Sequence, residues 1–346
     1  MLFSPESARR EAVRMLLEFD ADQRLWQATV RDVVTKQCPP SLVRSVAENG
    51  ADSDPLWKVY VDLGWTELND PASAVELAIV LEELGHATDP TPFLATMSQF
   101  APLAAGCFGP HQSGTAVYSG ITVRRDAQGW LLDGTARHVL EGDRADRLAV
   151  VTDAGVFIVA ASQVSARRES VFDPVLHVAD LSFREVRVPE NARVGVDAER
   201  ARHIALTGMA ITMVGACQRI LDLVLEHVRS RHQFGVPIGS FQAVQHKAAD
   251  MHVAVQRARA LAYFAALTIS ADDPRRRLAA AMAKASAGEC QSLVFRHGLQ
   301  LFGAMGFTWE NDLQFALKRA KAGELMLGGA AQHRVQIAEE YRAADF

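Results

Sequence analysis

The sequence predicts an α+β fold, mainly α, in three parts: an N-terminal helical domain (residues 1–105), a central β-barrel or sandwich (106–197) and a C-terminal four-helix bundle (198–346). Three observations predict it. Apolar residues recur at helical spacing before about residue 105 and again after 198. Alternation at period two replaces that spacing in between, where Gly, Thr, Val and Asp also become frequent. With 346 residues, 49% of them hydrophobic, the chain can bury a large core and sustain two or three sub-domains.

Each element follows from local signals. Ser4-Pro5-Glu6-Ser7 resembles a helix start, and Ala8 to Phe19 carries apolar residues at helical spacing. Pro39-Pro40 interrupts the chain. Leu56 to Gly64 reads as a short helix with a glycine stop, and Ala72 to Leu84 as an amphipathic helix ending at Gly85. Asp89-Pro90-Thr91-Pro92 then forbids a helix. Val117 to Val123, Trp130 to Leu132, Leu148 to Val151, Val156 to Ala160 and Phe183 to Val188 read as strands of a small antiparallel barrel or sandwich. Asp126 to Gly129 and Asp153 to Gly155 are turns. Ile204 to Arg229, Phe241 to Ala271, Arg275 to Leu301, Glu310 to Lys321 and Ala330 to Tyr341 read as the bundle helices.

Composition excludes several functions. The 36 Lys+Arg against 41 Asp+Glu give a net charge of −5, without the basic surplus of a dedicated nucleic-acid binder, and aromatics at 7% offer no base-stacking platform. Cys38, Cys107, Cys217 and Cys290 form no CxxC pair, which predicts reduced, buried thiols in a cytoplasmic protein rather than disulfides or a metal site. The charged N-terminus has no signal-peptide core, and no run of about 18 apolar residues suggests a membrane span.

Several segments then resemble one family in the right order. Arg231-His-Gln-Phe-Gly235, Ile238-Gly-Ser-Phe-Gln242 and Gln245 to Met251 resemble the RxxFG…FQxxQxxxADM signature of the acyl-CoA dehydrogenases. Gln300-Leu-Phe-Gly-Ala-Met-Gly-Phe-Thr308 resembles that family's QxxGGxGxT turn. Leu56-Trp57 to Trp65, Leu81 to Gly85 with Pro92-Phe93, Trp130 to Gly134, Ala145-Asp146 and Val188-Pro189 match further segments, so the resemblance covers nearly the whole chain.

The resemblance implies an FAD-dependent enzyme that takes a proton from Cα and a hydride from Cβ of an acyl-CoA thioester, passing electrons to an electron-transfer flavoprotein or similar acceptor. It implies that Arg231, Phe234, Gln242, Gln300 and Gly303 hold the adenosine and pyrophosphate end of a neighbouring subunit's FAD. A guanidinium suits this task because it makes charge-assisted, bidentate bonds to phosphate oxygens. A glycine suits it because a backbone without Cβ can approach a cofactor closely. The family's second glycine is Ala304 here.

The departures are equally specific. The base position of the family's IYEGT loop is Leu327, and the alternative base position on the first bundle helix is Ala205. Neither side chain can accept a proton. The aromatic-x-Thr stretch that contacts the flavin ring is His138-Val139-Leu140, and the TEPxAGSD loop is not recognisable around Gly109 to Ser113. The arginine often found on the first bundle helix is Leu206. Residues given to a neighbour's cofactor are thus kept, and those serving the chain's own flavin ring are lost. The pattern resembles the base-less subunit of actinobacterial α2β2 steroid-side-chain acyl-CoA dehydrogenases, whose partner carries the glutamate. Two alternatives stand beside it: a homo-oligomer with a relocated base at Glu141, Asp143, His138 or Glu324, and a flavin-free scaffold or CoA-binding protein.

Overall fold

A computed structural model describes residues 19–104, 106, 107 and 109–342. The expected helix at Ala8 to Phe19 and its start at Ser4 lie almost wholly outside the described residues. The remaining segments form α1 (Ala21–Gln37), α2 (Pro40–Asn49), α3 (Asp54–Asp62), α4 (Ala74–Ala87), a π-helical turn (Ala95–Phe100) running into α5 (Ala101–Ala104), eight strands, then α6 (Ala198–Ser230), α7 (Gln242–Ser270), α8 (Arg276–Phe302), α9 (Leu313–Leu325) and α10 (Ala330–Arg342). The mainly helical α+β order predicted above is present.

Contacts group the chain into two compact units. One comprises residues 40–70 and 88–209. Its centre is a sandwich of β1 (Gly114–Val117), β2 (Ile121–Asp126), β3 (Gly129–Leu140), β4 (Arg147–Thr152), β5 (Gly155–Ala160), β6 (Ser165–Arg168), β7 (Val178–Val188) and β8 (Arg193–Val194). The sheets run β1-β4-β5-β8 and β2-β3-β7-β6. Leu132, Leu181 and Phe183 from one sheet and Leu148, Val150 and Phe157 from the other form the filling, as alternating inward residues should. Two readings need correction. The run read as a single strand from Val117 to Val123 is two strands, broken at Tyr118-Ser119-Gly120. And β1 pairs with β4 in parallel, so the sandwich is not purely antiparallel.

The other unit comprises residues 1–39, 71–87 and 210–346. Its core draws Val214, Ile220 and Val224 from α6, Met251 and Val255 from α7, Cys290 and Val294 from α8, and Leu313 and Leu317 from α9. The helix expected to stop at Gly85 continues to Ala87. Gly85 instead lies at a helix crossing: a Cβ there would sit 2.2 Å from the Thr212 carbonyl oxygen, and one on Gly215 would sit 2.0 Å from that of Glu82. The two glycines let α4 and α6 touch backbone to backbone.

The length and hydropathy of α6 would suffice for a bilayer, contrary to the reading that no such run exists. However, 83% of its most apolar window is buried within the protein, and core packing accounts for the composition. All four cysteines are free; Cys38, Cys217 and Cys290 are buried, whereas Cys107 is exposed, against expectation.

Candidate functional site

Three helix ends converge at one pole of the unit that contains residues 210–346. α6 ends at Ser230, α7 begins at Gln242 and α8 ends at Phe302. His227 stacks on Phe302 with centroids 4.4 Å apart and planes 11° from parallel. Lys247 Nζ donates to Gln300 Oε1 at 2.8 Å. These contacts tie α6 and α7 to the end of α8.

Between α6 and α7 the chain makes a small hairpin, with β9 (His232–Gln233) antiparallel to β10 (Val236–Pro237). Arg231 N–H donates to His227 O at 2.8 Å, and Ile238 N–H to Arg231 O at 2.8 Å, so the backbone of Arg231 closes the hairpin onto the helix. Phe234 and Gly235 form its two-residue turn with φ of +55° and +83°, the primed geometry that matches strand twist. Glycine adopts this geometry freely; a phenylalanine in it is strained by about 1 kcal/mol. Phe234 is also 91% exposed, edge-on to Phe241 with centroids 6.1 Å apart. Strain and exposure on one aromatic residue argue that something other than water meets it. Phe307, 77% exposed, with Met305 and Trp309, extends the exposed apolar rim just beyond α8.

Arg231, Gln242 and Gln300 are all exposed. The imidazole of His227 is held below its ordinary range, first by burial and then by the Arg231 cation. Gly303 caps α8 at φ +59°, and a Cβ built there meets nothing within 4 Å. The pole therefore offers cationic groups, amides and an unobstructed backbone turn, which suits a dinucleotide's pyrophosphate and adenosine end. The sequence-predicted residues Arg231, Phe234, Gln242, Gln300 and Gly303 all lie on these helix ends and their hairpin. Lys247 and His227 were missed. His227 is four residues before Arg231, one helical turn, and that spacing was the available signal.

The flavin-ring and base positions are different in kind. Leu140 is buried at the end of β3, and its carbonyl accepts from Thr115 Oγ1 at 2.6 Å. Gly109 to Ser113, where no TEPxAGSD loop is recognisable, precede β1, and only Tyr118-Ser119-Gly120 join β1 to β2. Ala205 and Leu206 are buried in α6. Leu327 lies between α9 and α10 with φ +56°. Its loop is pinned from three directions: Lys284 Nζ donates to Gly328 O at 2.7 Å, Ala330 N–H donates to Glu324 Oε1 at 2.9 Å, and His333 Nε2 lies 3.1 Å from Leu327 O. Lys284 is fully buried and its ammonium is pushed down to about 8 by that burial, against the pull of Glu324 at 3.9 Å. A single lysine in the alanine-rich stretch Ala279 to Ala287 was the overlooked signal.

The candidate relocated bases are engaged in local structure. Glu141 is buried in an ion pair with Arg144, which also donates to Ser53 Oγ at 2.8 Å and Pro90 O at 2.6 Å. Asp143 pairs with His177 Nδ1 at 2.9 Å. His138 sits exposed at a bulge of β3, φ +56°, its N–H donating to Asp180. Glu324 caps α10, with its second oxygen turned toward Gly288, where a Cβ would come within 2.1 Å. A separate polar recess of about 530 Å3 is lined by Arg31, Glu82, Glu83, His86, Asp222 and Arg259. Its charges pair internally as Arg31–Glu83, Arg259–Glu82 and His86–Asp222, the pattern of a structural network.

Comparison with known proteins bears on the family and the fold. Residues 201–341 match the acyl-CoA dehydrogenase C-terminal domain family. The acyl-CoA dehydrogenase IpdE2 of Mycolicibacterium smegmatis is 30% identical over 324 residues, covering 89% of this chain and 94% of that protein. Among solved structures, the ChsE4–ChsE5 complex of Mycobacterium tuberculosis has a chain that superposes with a TM-score of 0.85 at 24% identity, covering 95% of this chain and 99% of that one. A Tcur3481–Tcur3483 steroid ACAD variant superposes with a TM-score of 0.82 at 23% identity, covering 93% and 98%. The chain belongs to the acyl-CoA dehydrogenase family, flavoprotein oxidoreductases that act on CH–CH groups.

Proposed function

We propose that this chain is a base-less subunit of a hetero-oligomeric acyl-CoA dehydrogenase. It grips the adenosine and pyrophosphate end of an FAD whose reactive ring, with the catalytic glutamate, belongs to a second dehydrogenase-like subunit. One observation carries the reading: both base positions are aliphatic, Leu327 and Ala205, while Arg231, Gln300 and Gly303 stand open at the bundle pole. FAD, once bound, supplies the hydride acceptor. This chain supplies the cation, the amides and a cover for the strained Phe234. A self-sufficient homo-oligomer needs both sets of residues in every chain, whereas a hetero-oligomer needs each set once per site.

The similarity to IpdE2, and a fold shared with chains of the ChsE4–ChsE5 complex and of a steroid ACAD, favour an acyl-CoA substrate of the steroid-side-chain class; an electron-transfer flavoprotein or similar acceptor is what the family resemblance implies. The test is a flavin count and an acyl-CoA oxidation assay on the isolated chain and on the chain co-purified with a candidate dehydrogenase-like subunit that carries the catalytic glutamate. Activity and FAD confined to the co-purified assembly are expected. One FAD per chain with turnover by the isolated chain would overturn the reading.

A further inference from the structure

Lys247 and Gln300 make the one polar side-chain contact described between α7 and α8 at the bundle pole, and its chemistry restricts what Gln300 can do. An ammonium has three donors and no acceptor. The Gln300 atom 2.8 Å from Lys247 Nζ must therefore be the carbonyl oxygen, whichever way the amide would otherwise turn. The NH2 group then points away from Lys247. Gln245, on the same stretch of α7, illustrates the alternative: its NH2 donates to Gly239 O at 3.0 Å, in the 3-10 turn Ile238–Ser240 that leads from the hairpin into α7. Gln300 sits three residues before the open Gly303 turn, within the exposed pole that Arg231 borders.

We propose that Lys247 is a positioning residue that fixes the Gln300 carboxamide with its NH2 toward the cofactor, making this corner a donor-only subsite for phosphate oxygens or ring-nitrogen acceptors of a dinucleotide. This deepens the FAD-grip reading and rests on it. Lys247 acts through Gln300 and need not touch the ligand. A neutral residue that still donates at position 247 preserves the subsite, and one that cannot donate frees the amide to rotate. An acceptor at 247 turns the amide over and presents the carbonyl to the ligand.

The experiment measures FAD affinity of the apo-assembly by flavin fluorescence for wild type, K247Q, K247M, K247E and Q300E, with native mass confirming assembly of each. K247Q is expected to bind within about threefold of wild type, and K247M about tenfold more weakly, the scale of one hydrogen bond to a charged group. K247E should be weaker than K247M. Q300E, in which a carboxylate accepts from Lys247 and offers no outward donor, should be at least as weak as K247M. Equal affinity of K247M and wild type would overturn the proposal, and so would K247Q falling to the level of K247M, because the charge itself would then be the contact. A wild-type assembly that binds no FAD would instead remove the reading on which the proposal stands.

Discussion

The bundle pole and the loop around Leu327 belong to the same helical unit and have opposite physical character. At the pole, polar and aromatic side chains are exposed, one phenylalanine is held in a left-handed turn, and the backbone is open at Gly303. At the loop, the central side chain is aliphatic, and three polar neighbours, Lys284, Glu324 and His333, are directed at backbone atoms. The first region keeps unsatisfied potential for a ligand. The second turns Lys284 Nζ, Glu324 Oε1 and His333 Nε2 onto its own backbone. A loop centred on an aliphatic side chain is still held in a defined shape, which teaches that the shape here does not depend on a carboxylate at position 327.

The largest effect expected is at the loop around Leu327. The Lys284 ammonium sits near 8 in the folded chain and in its ordinary range near 10.5 when unfolded. Between those values the unfolded chain binds more protons, so stability rises with pH across that window, by at most about 3 kcal/mol. Thermal melts from pH 7 to pH 10.5 should show this rise in the wild type and not in K284M. An unchanged slope in K284M would mean that Lys284 is hydrated, and the contrast between the two regions would weaken.

At the open end, Arg231→Ala should lower FAD affinity of the assembly by roughly 30- to 100-fold, the scale of charge-assisted bonds to phosphate, without moving the melting temperature of the isolated chain. A fall in melting temperature with unchanged FAD affinity would make Arg231 structural. Phe234→Gly should sharpen the comparison in a different way. It relieves the left-handed turn, so the isolated chain gains up to about 1 kcal/mol in urea melts, while association with the partner weakens. A loss of stability in the isolated chain would show that the ring is already covered.

The smallest effect on turnover is expected from Glu324→Gln. The amide can still accept from Ala330 N–H but no longer offsets the buried Lys284 ammonium at 3.9 Å, so the folded chain should lose stability near neutral pH while turnover of the assembly should not change. A drop in turnover of several orders of magnitude would make Glu324 a base and dissolve the distinction between the two ends.

Much of the fold was legible because helical and strand periodicities are local. α7 and α8 follow from spacing alone to within one residue of their ends, and α6 does so at its C-terminus but begins six residues earlier than the spacing predicts. The parallel β1–β4 pairing was not legible, because it joins Gly114 to Arg147 across a separation that no local pattern encodes. Gly85 was misread for a related reason: a glycine near a helix end looks like a stop, and only the crossing with Thr212 reveals a close approach.

For the site, the sequence by itself determined which side chains stand at the positions compared, Leu327, Ala205 and Arg231 among them. Leucine and alanine cannot accept a proton in any fold, and an arginine retains its charge and its fork of donors wherever it is placed. Only the tertiary structure decided how the remaining polar groups are used. Glu324 became a helix cap, Glu141 an ion-pair partner, and Gln300 a carboxamide oriented by Lys247 from 53 residues away. A polar side chain's role is set by the partner within about 3 Å of it, and that partner is chosen by packing between helices rather than by its neighbours in the chain.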